Sequence, residues 1–106
     1  MTKLNNKIKS HAIEAYPHEC VGYIRDGKYF KLNNVSSNPD KEYRISTNDI
    51  MKLTLMGNKL SAIVHSHPEM NNEPSPKDIK SQHSSGIEFR IVGTNGKDTT
   101  DIRRVK

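Results

Sequence analysis

Residues 65–78 read HSHPEMNNEPSPKD, and this stretch decides how the rest of the chain is arranged. The five residues before it, LSAIV at 60–64, are mostly apolar and predict a buried strand that ends with both histidines. In a strand His65 and His67 share one face, about 7 Å apart along the chain, while Ser66 faces the other way. The two imidazoles can therefore converge on one ion.

Ten residues separate His67 from Asp78, whose carboxylate returns to the histidines. The preceding Ser75 and Pro76 predict a helix start with Ser75 as N-cap, Pro76 at N1 and Asp78 at N3. A His-x-His pair is common on surfaces, and Ser75 with Asp78 is by itself an ordinary capping pair. Together, two nitrogen ligands and one carboxylate match a catalytic zinc that keeps its fourth position open. A structural zinc would use four ligands, usually with cysteines, and the chain has one Cys.

The ligand stretch also resembles a known signature, that of the JAMM (MPN+) zinc metallopeptidases of the Mov34/JAB family. The pattern is Glu, then His-x-His-Pro, six residues, and Ser-x-x-Asp. Its residues in this chain are Glu19, His65, His67, Pro68, Ser75 and Asp78. The flanking sequences are similar to the Mov34/MPN domain of lambda-like phage tail assembly proteins: PHECVGY around Glu19, Asn-Pro ahead of Tyr-x-Ile-Ser at 38–46, and SSGIEFRIV after the motif. The resemblance covers about residues 11–92.

The resemblance implies a chemistry and a role for each residue of the signature. His65, His67 and Asp78 would hold one zinc ion per chain, and a peptide or isopeptide amide would be hydrolysed. Glu19 would be the general base, a role for which composition alone could not select it among the acidic residues. Ser75 would donate a hydrogen bond to the oxyanion of the tetrahedral intermediate. A chain this short has little room for ubiquitin-gripping insertions, so we do not expect ubiquitin as substrate.

The remaining patterns predict a single α/β (α+β) domain over residues 1–106. The resemblance implies a curved, mostly antiparallel sheet flanked by helices. The predicted elements are a helix over 3–16, strands over 19–25, 28–32 and 42–46, a helix beginning with Thr47 as cap and ending at 57–58, the ligand strand over 60–67, the ligand helix over 76–83, and a hairpin of 87–92 with 98–105.

The amino-acid composition limits the kinds of partner and the compartment that we expect for this chain. The net charge is +5, but the 17 Lys and Arg are scattered, with never more than two in a row, which favours a solvated surface over a nucleic-acid-binding arm. No apolar run reaches signal-peptide or membrane-helix length, so we expect no membrane partner. One cysteine excludes an internal disulfide and suits a reducing cytoplasm. The resemblance implies the cytoplasm of the host, if the chain is phage-encoded, or a place in the virion tail.

Two alternatives to the peptidase remain open. One is a non-catalytic, zinc-stabilised MPN scaffold in a tail assembly, and the other is a nucleic-acid-associated relative of the RadC-like branch. The expected partners are a peptide or protein substrate, tail-tip proteins, and a separate NlpC/P60-type domain, which the phage relatives usually carry. The presence of Glu19 with all three ligands favours the enzyme.

Other reactive side chains have simpler interpretations. Cys20, next to Glu19 on a strand, should face the opposite side as a buried, inert thiol. The other histidines and the carboxylates of the ligand loop are expected on the surface: His11, His18, His83, Glu69 and Glu73.

Overall fold

The computed structural model describes residues 2–105, so Met1 and Lys106 of the predicted domain lie outside the described residues. The elements in chain order are α1 (Thr2–Ala15), β1 (Val21–Arg25), β2 (Lys28–Leu32), α2 (Thr47–Met56), a 3₁₀ turn (Gly57–Lys59), β3 (Leu60–His67), α3 (Pro76–Ser85), β4 (Glu88–Gly93) and β5 (Arg103–Arg104). This order confirms the predicted mixed α and β class.

The strands form one sheet in the order β2-β1-β3-β4-β5. Strand β3 pairs in parallel with β4, and the other neighbours are antiparallel. The β1–β2 turn has positive φ at both Asp26 (54°) and Gly27 (72°), as the predicted Asp-Gly hairpin turn requires. The parallel pair needs a long crossover, and α3 lies within it. The ligand strand β3 therefore occupies the centre of the sheet.

Each face of the sheet carries one apolar cluster, and β3 contributes to both by alternation. Ala62 and Val64 pack with the α1 residues Ile8 and Ala12, which are fully buried. Ile63 belongs to the second cluster, on the α2 side of the sheet; its buried members are Val21, Leu53, Leu60, Ile63, Phe89, Ile91 and Val105. The same alternation sends Ser66 toward the α1 side and both histidines toward the other side.

The predicted strand over 42–46 is wrong. The segment is extended but lies outside the sheet, and a backbone hydrogen bond joins it to the preceding loop from Val35 N to Arg44 O (2.9 Å). The Arg44 N–H donates to the side chain of Asn34 (3.0 Å). Because a side chain takes that donor, the segment does not form a continuous ladder. The cap of α2 is Ser46, one residue before the predicted Thr47.

The predicted hairpin of 87–92 with 98–105 is confirmed in its first strand and in its antiparallel pairing, but the predicted length of its second strand is wrong. Strand β5 has two residues, and the link nearer the turn is an isolated bridge between Thr94 and Thr99. Local side chains take the backbone donors of this segment: Thr100 Oγ1 accepts from Gly93 N (3.0 Å) and Asn95 Oδ1 accepts from Asp98 N (2.8 Å). Such short-range bonds replace the regular ladder.

None of the helices within residues 2–105 is both long and apolar enough to span a bilayer.

Candidate metal centre

The three predicted ligands meet at one point. His65 Nε2 lies 3.1 Å from Asp78 Oδ1, and His67 Nε2 lies 3.3 Å from Asp78 Oδ2. One ligand atom from each residue falls within 4.8 Å of the others. His65 is 1% exposed and Asp78 7% exposed. The sequence therefore identified a cluster that could hold a metal ion.

Two local structures place these side chains. The histidines occupy alternate positions at the C-terminal end of β3, facing away from α1. Asp78 is fixed by the capping box of α3: Ser75 N donates to Asp78 Oδ2 (2.9 Å) and Asp78 N donates to Ser75 Oγ (3.1 Å). This confirms Ser75 as N-cap and Asp78 at N3. One carboxylate oxygen thus serves both the helix start and the cluster.

The loop between β3 and α3 packs against the end of β4. A Cβ added at Gly93 would lie 2.4 Å from Glu69 O and 2.5 Å from Asn71 N, so only glycine admits this backbone approach. Thr94 N donates to His67 O (3.0 Å), which ties the last ligand residue of β3 to the same point. The loop that returns Asp78 to the histidines is therefore seated on Gly93.

Further along the loop, Arg103 holds Asn72 and Glu73. Its Nε donates to Asn72 Oδ1 (3.1 Å) and its Nη2 to Glu73 (2.9 Å). Asn72 in turn donates to Asp101 O (2.9 Å). Strand β5 thus anchors the outer part of the ligand loop.

The electrostatics of the cluster suit a cation. Burial lowers the pKa of His65, which favours the neutral imidazole that metals bind. Burial raises the pKa of Asp78, but its hydrogen bonds with His65 and His67 outweigh this and hold the pKa well below its usual range. For His67 burial lowers the pKa, and the hydrogen bond and charge of Asp78 reverse that, leaving the pKa raised. Asp78 therefore stays ionised beside both rings.

The donor set of the cluster fits zinc, which binds imidazole nitrogen and carboxylate oxygen. The ligand atoms of the three residues lie within 4.8 Å of one another, so a single ion can reach all of them. Nδ1 of His65 is buried without a hydrogen-bond partner among the described residues. The ring is held instead by the side chain of Tyr43, whose centroid lies 4.7 Å from that of His65.

Glu19 stands beside the cluster, just before β1. Strand β1 pairs with β3 so that Val21 lies opposite His65, which brings the residues ahead of β1 to the ligand end of β3. Glu19 is 8% exposed, so it is not the plain surface glutamate that its residue type suggests. Burial raises its pKa to about 7, with His67 opposing the shift. A carboxyl group with such a pKa can exchange protons near neutral pH.

These groups open into a cleft of about 530 Å³. Its walls come from the ligand loop, the start of α3 and the segment before α2. The lining residues are Glu19, Asp40, Lys41, Glu42, Tyr43, His67, Pro68, Glu69, Glu73, Ser75, Lys77, Asp78 and Ser81. The signature residues Glu19, His67, Ser75 and Asp78 therefore share one solvent-connected space.

The other side chains singled out in the sequence have mixed outcomes. Cys20 is 2% exposed and packs on the α1 side, opposite Glu19, as predicted. The prediction that His11 lies on the surface is wrong: it is 8% exposed, and its Nδ1 is hydrogen-bonded to Tyr29 Oη (2.6 Å). Position 11 lies one residue before the buried Ala12, on the edge of the apolar stripe. His18 is exposed and pairs with Asp40 (2.7 Å).

The remaining three side chains are exposed, as predicted: His83, Glu69 and Glu73. Two residues near the cluster escaped the sequence analysis, namely Tyr43 and Asn34. The motif Tyr-x-Ile-Ser marked Tyr43 as part of a strand, and nothing in the spacing indicated that its ring packs on His65.

Solved structures place this fold in a known class. A protein from Desulfitobacterium hafniense superposes with a TM-score of 0.68 at 19% identity, covering 100% of this chain and 88% of that one. A JAB1/MPN domain protein from Archaeoglobus fulgidus superposes with a TM-score of 0.64 at 21% identity, covering 97% and 83%. The fold is therefore that of a JAB1/MPN-like domain.

Sequence comparison identifies the protein family within this fold class. The chain belongs to the family described as prokaryotic homologs of the JAB domain, which matches residues 1–106. It is 35% identical over 105 residues to the tail tip assembly protein K of Escherichia phage N15, covering 95% of this chain. It spans 43% of that relative's length. The resemblance to the JAB/MPN family inferred from residues 19–78 is confirmed.

Proposed function

We propose that the chain is a zinc-dependent metallopeptidase or isopeptidase that hydrolyses a peptide or isopeptide amide bond. The observation that carries this proposal is a cluster of two histidines and an aspartate next to the buried Glu19, with Glu19, His67 and Asp78 lining one cleft. When bound by His65, His67 and Asp78, zinc supplies a Lewis acid that lowers the pKa of a water ligand to about 7 and polarises a carbonyl. Residues 2–105 contain one cluster of this kind, which supports one zinc per chain.

Glu19 is proposed as the general base. In its buried position it takes a proton from the attacking water and returns it to the leaving nitrogen. In the metal-free protein the pKa of Glu19 is about 7, so its carboxyl group can both accept and release a proton near neutral pH. An ordinary exposed glutamate, with a pKa near 4, would accept the proton but hold it weakly.

Ser75 is proposed as the donor to the oxyanion. Its oxygen already accepts the Asp78 N–H, but the hydroxyl hydrogen remains available for a second bond. Ser75 lines the cleft next to Asp78, where a substrate carbonyl would lie. The same residue therefore caps α3 and serves the reaction.

The setting of the activity is proposed from the phage relative. A homologue named as a tail tip assembly protein favours a role in tail assembly or cell-wall processing, in the host cytoplasm or in the virion tail. The partners would be a peptide or protein substrate and tail-tip proteins, with an NlpC/P60-type domain acting beside this one. The same relative supports a second candidate, a zinc-stabilised scaffold that binds tail proteins without cleaving them.

A cleavage screen separates the two candidates. Zinc-loaded protein is incubated with tail proteins and with cell-wall fractions, and new peptide termini are identified by mass spectrometry. The variant is Glu19→Gln, and the control is Glu69→Gln, an exposed carboxylate in the same cleft. General-base loss should reduce cleavage by about 10²- to 10⁴-fold, with the control close to wild type. Wild-type protein that binds tail proteins and generates no new termini would favour the scaffold.

A further inference from the structure

Asn34, two residues after β2, is bonded through both ends of its side-chain amide. Its Nδ2 donates to Glu19 O (2.9 Å) and to Glu42 O (3.0 Å), with a longer contact to Pro39 O (3.5 Å). Its Oδ1 accepts the N–H groups of Ser36 and Arg44, both at 3.0 Å. The partners fix the orientation of the amide, because carbonyl oxygens require the NH₂ end and N–H groups require the oxygen.

Two of these bonds enclose Tyr43. Asn34 donates to the carbonyl of Glu42 and accepts from the N–H of Arg44, the two neighbours of Tyr43 in the sequence. The backbone at Tyr43 is therefore held from both sides. The ring of Tyr43 packs on His65, with the centroids 4.7 Å apart. Since Nδ1 of His65 has no hydrogen-bond partner among residues 2–105, this ring contact takes the place of the usual polar support of a ligand imidazole.

Another hydrogen bond of Asn34, the one from its Nδ2, reaches the backbone of the proposed general base, Glu19. Glu19 O accepts from Asn34, and Glu19 N donates to Pro39 O (2.7 Å). The next residue, Cys20, is fixed by Ser66: Cys20 N donates to Ser66 Oγ (2.8 Å) and Ser66 N donates to Cys20 O (3.0 Å). The backbone at Glu19 is thus held between the Asn34 loop and the ligand strand. On the loop side, Asn34 supplies the side-chain contact.

We infer that Asn34 is a positioning residue that sets Glu19 and the first zinc ligand, His65, in register with each other. One amide joins the backbone of the base to the backbone of the tyrosine that supports the ligand. The part of this inference that concerns catalysis rests on the proposed function. The part that concerns metal binding needs only that the His65, His67 and Asp78 cluster binds zinc.

Asn34→Asp is the sharpest test. It keeps size and the acceptor oxygen but replaces the NH₂ by an oxygen, which then faces the carbonyls of Glu19 and Glu42 and repels them. The control is Asn33→Asp, which adds the same charge one residue earlier at an exposed position. Removing groups that orient metal ligands costs roughly 10- to 100-fold in metal affinity or activity. We expect Asn34→Asp to weaken zinc binding by about tenfold in a chelator competition, and Asn33→Asp to leave it unchanged.

A second control separates a positioning role of Asn34 from a general loss of stability. Ile24→Val removes a methylene from the buried core of β1 and lowers the thermal midpoint without touching the cleft. At a temperature well below every midpoint, Asn34→Asp should lose zinc affinity and kcat at saturating substrate, and Ile24→Val should lose neither. Equal zinc affinity in Asn34→Asp and Asn33→Asp would overturn the inference.

Tyr43→Leu keeps the inference testable if Asn34→Asp does not fold. It removes the ring from His65 and leaves the contact between Asn34 and Glu19 in place. We expect Tyr43→Leu to bind zinc more weakly than wild type. Wild-type zinc affinity in this variant would refute the part of the inference that concerns metal binding. Should wild-type protein bind zinc and cleave nothing, the proposed function fails while the affinity measurements still decide the role of Asn34.

Discussion

At the scale of single residues, the chemistry of this chain depends on burial that residue type does not predict. Glu19 is one of 12 acidic residues, and the resemblance to the JAMM signature singled it out. Its position just before β1, 8% exposed beside His67, supplies the physical reason. The meeting of His65, His67 and Asp78 in one cluster was predictable from spacing, because strand alternation and helix capping are local rules. Tyr43 and Asn34 act through long-range contacts, which spacing does not reveal.

In the metal-free protein, Glu19→Gln should change how stability depends on pH. In the folded state the pKa of Glu19 is about 7 against an ordinary value of 4.5, so the folded state retains a proton that the unfolded state releases between these pH values. Wild-type stability should therefore fall as pH rises from 4.5 to 7 and stay low above that. The amide cannot ionise, so Glu19→Gln should be more stable than wild type at pH 8, by about 3 kcal/mol at most.

Urea unfolding with a chelator present, at pH 4.5 and pH 8, measures this difference. The gap between the two proteins should be small at the lower pH and large at the higher one. Glu69→Gln, which changes an exposed carboxylate, should show no such gap. A Glu19→Gln protein with the pH dependence of wild type would mean that the carboxylate is not buried as described.

At the scale of elements, strands and helices with strong local signals were predicted well. The ligand strand β3 matches its predicted range, 60–67, and α3 begins at the predicted Pro76. The failures are the segment over 42–46 and the second strand of the last hairpin, of which only the two residues of β5 pair with β4. In both, side chains of Asn and Thr compete for the backbone N–H groups that a ladder would use. Propensity indicates that a segment is extended, but does not say which group takes its hydrogen bonds.

The second prediction concerns the contact between the ligand loop and β4, and it uses Gly93→Ala. The added methyl would meet Glu69 O and Asn71 N at about 2.5 Å, both of them backbone atoms. The loop must then lift, which moves Asp78 away from the histidines and should weaken zinc binding. The matched control is Gly86→Ala at the end of α3, where a Cβ meets nothing within 4 Å but φ is +70°, so stability should fall without loss of metal affinity.

Zinc affinity and thermal unfolding of the two glycine variants, each measured with and without metal, test this prediction. Gly93→Ala should show a smaller metal-induced rise in the unfolding midpoint than wild type, and Gly86→Ala should retain the full rise. Retention of wild-type zinc affinity by Gly93→Ala would show that the loop need not rest on β4 to supply its ligand.

At the scale of the whole molecule, the fold converges on the ligand end of the central strand. Strand β1 brings Glu19, the loop after β2 brings Tyr43, and the crossover from β3 to β4 brings Asp78. Only 32% of the residues are hydrophobic, and the core is divided into two modest clusters. A metal that ties strand, loop and helix together should therefore contribute noticeably to stability. The family and the mixed α and β class could be predicted from sequence, whereas the parallel pairing of β3 with β4 was not.

The most direct measurement is the zinc content of wild type and His67→Ala, purified without chelator and determined by elemental analysis. Wild type should contain one zinc per chain, because His65, His67 and Asp78 form one cluster within residues 2–105. Glu19→Gln, the control with an intact cluster, should also contain one. His67→Ala should lose most of the metal and the stabilisation that the metal provides. Unchanged zinc in His67→Ala, or a wild-type protein that binds none, would contradict the proposed metal centre.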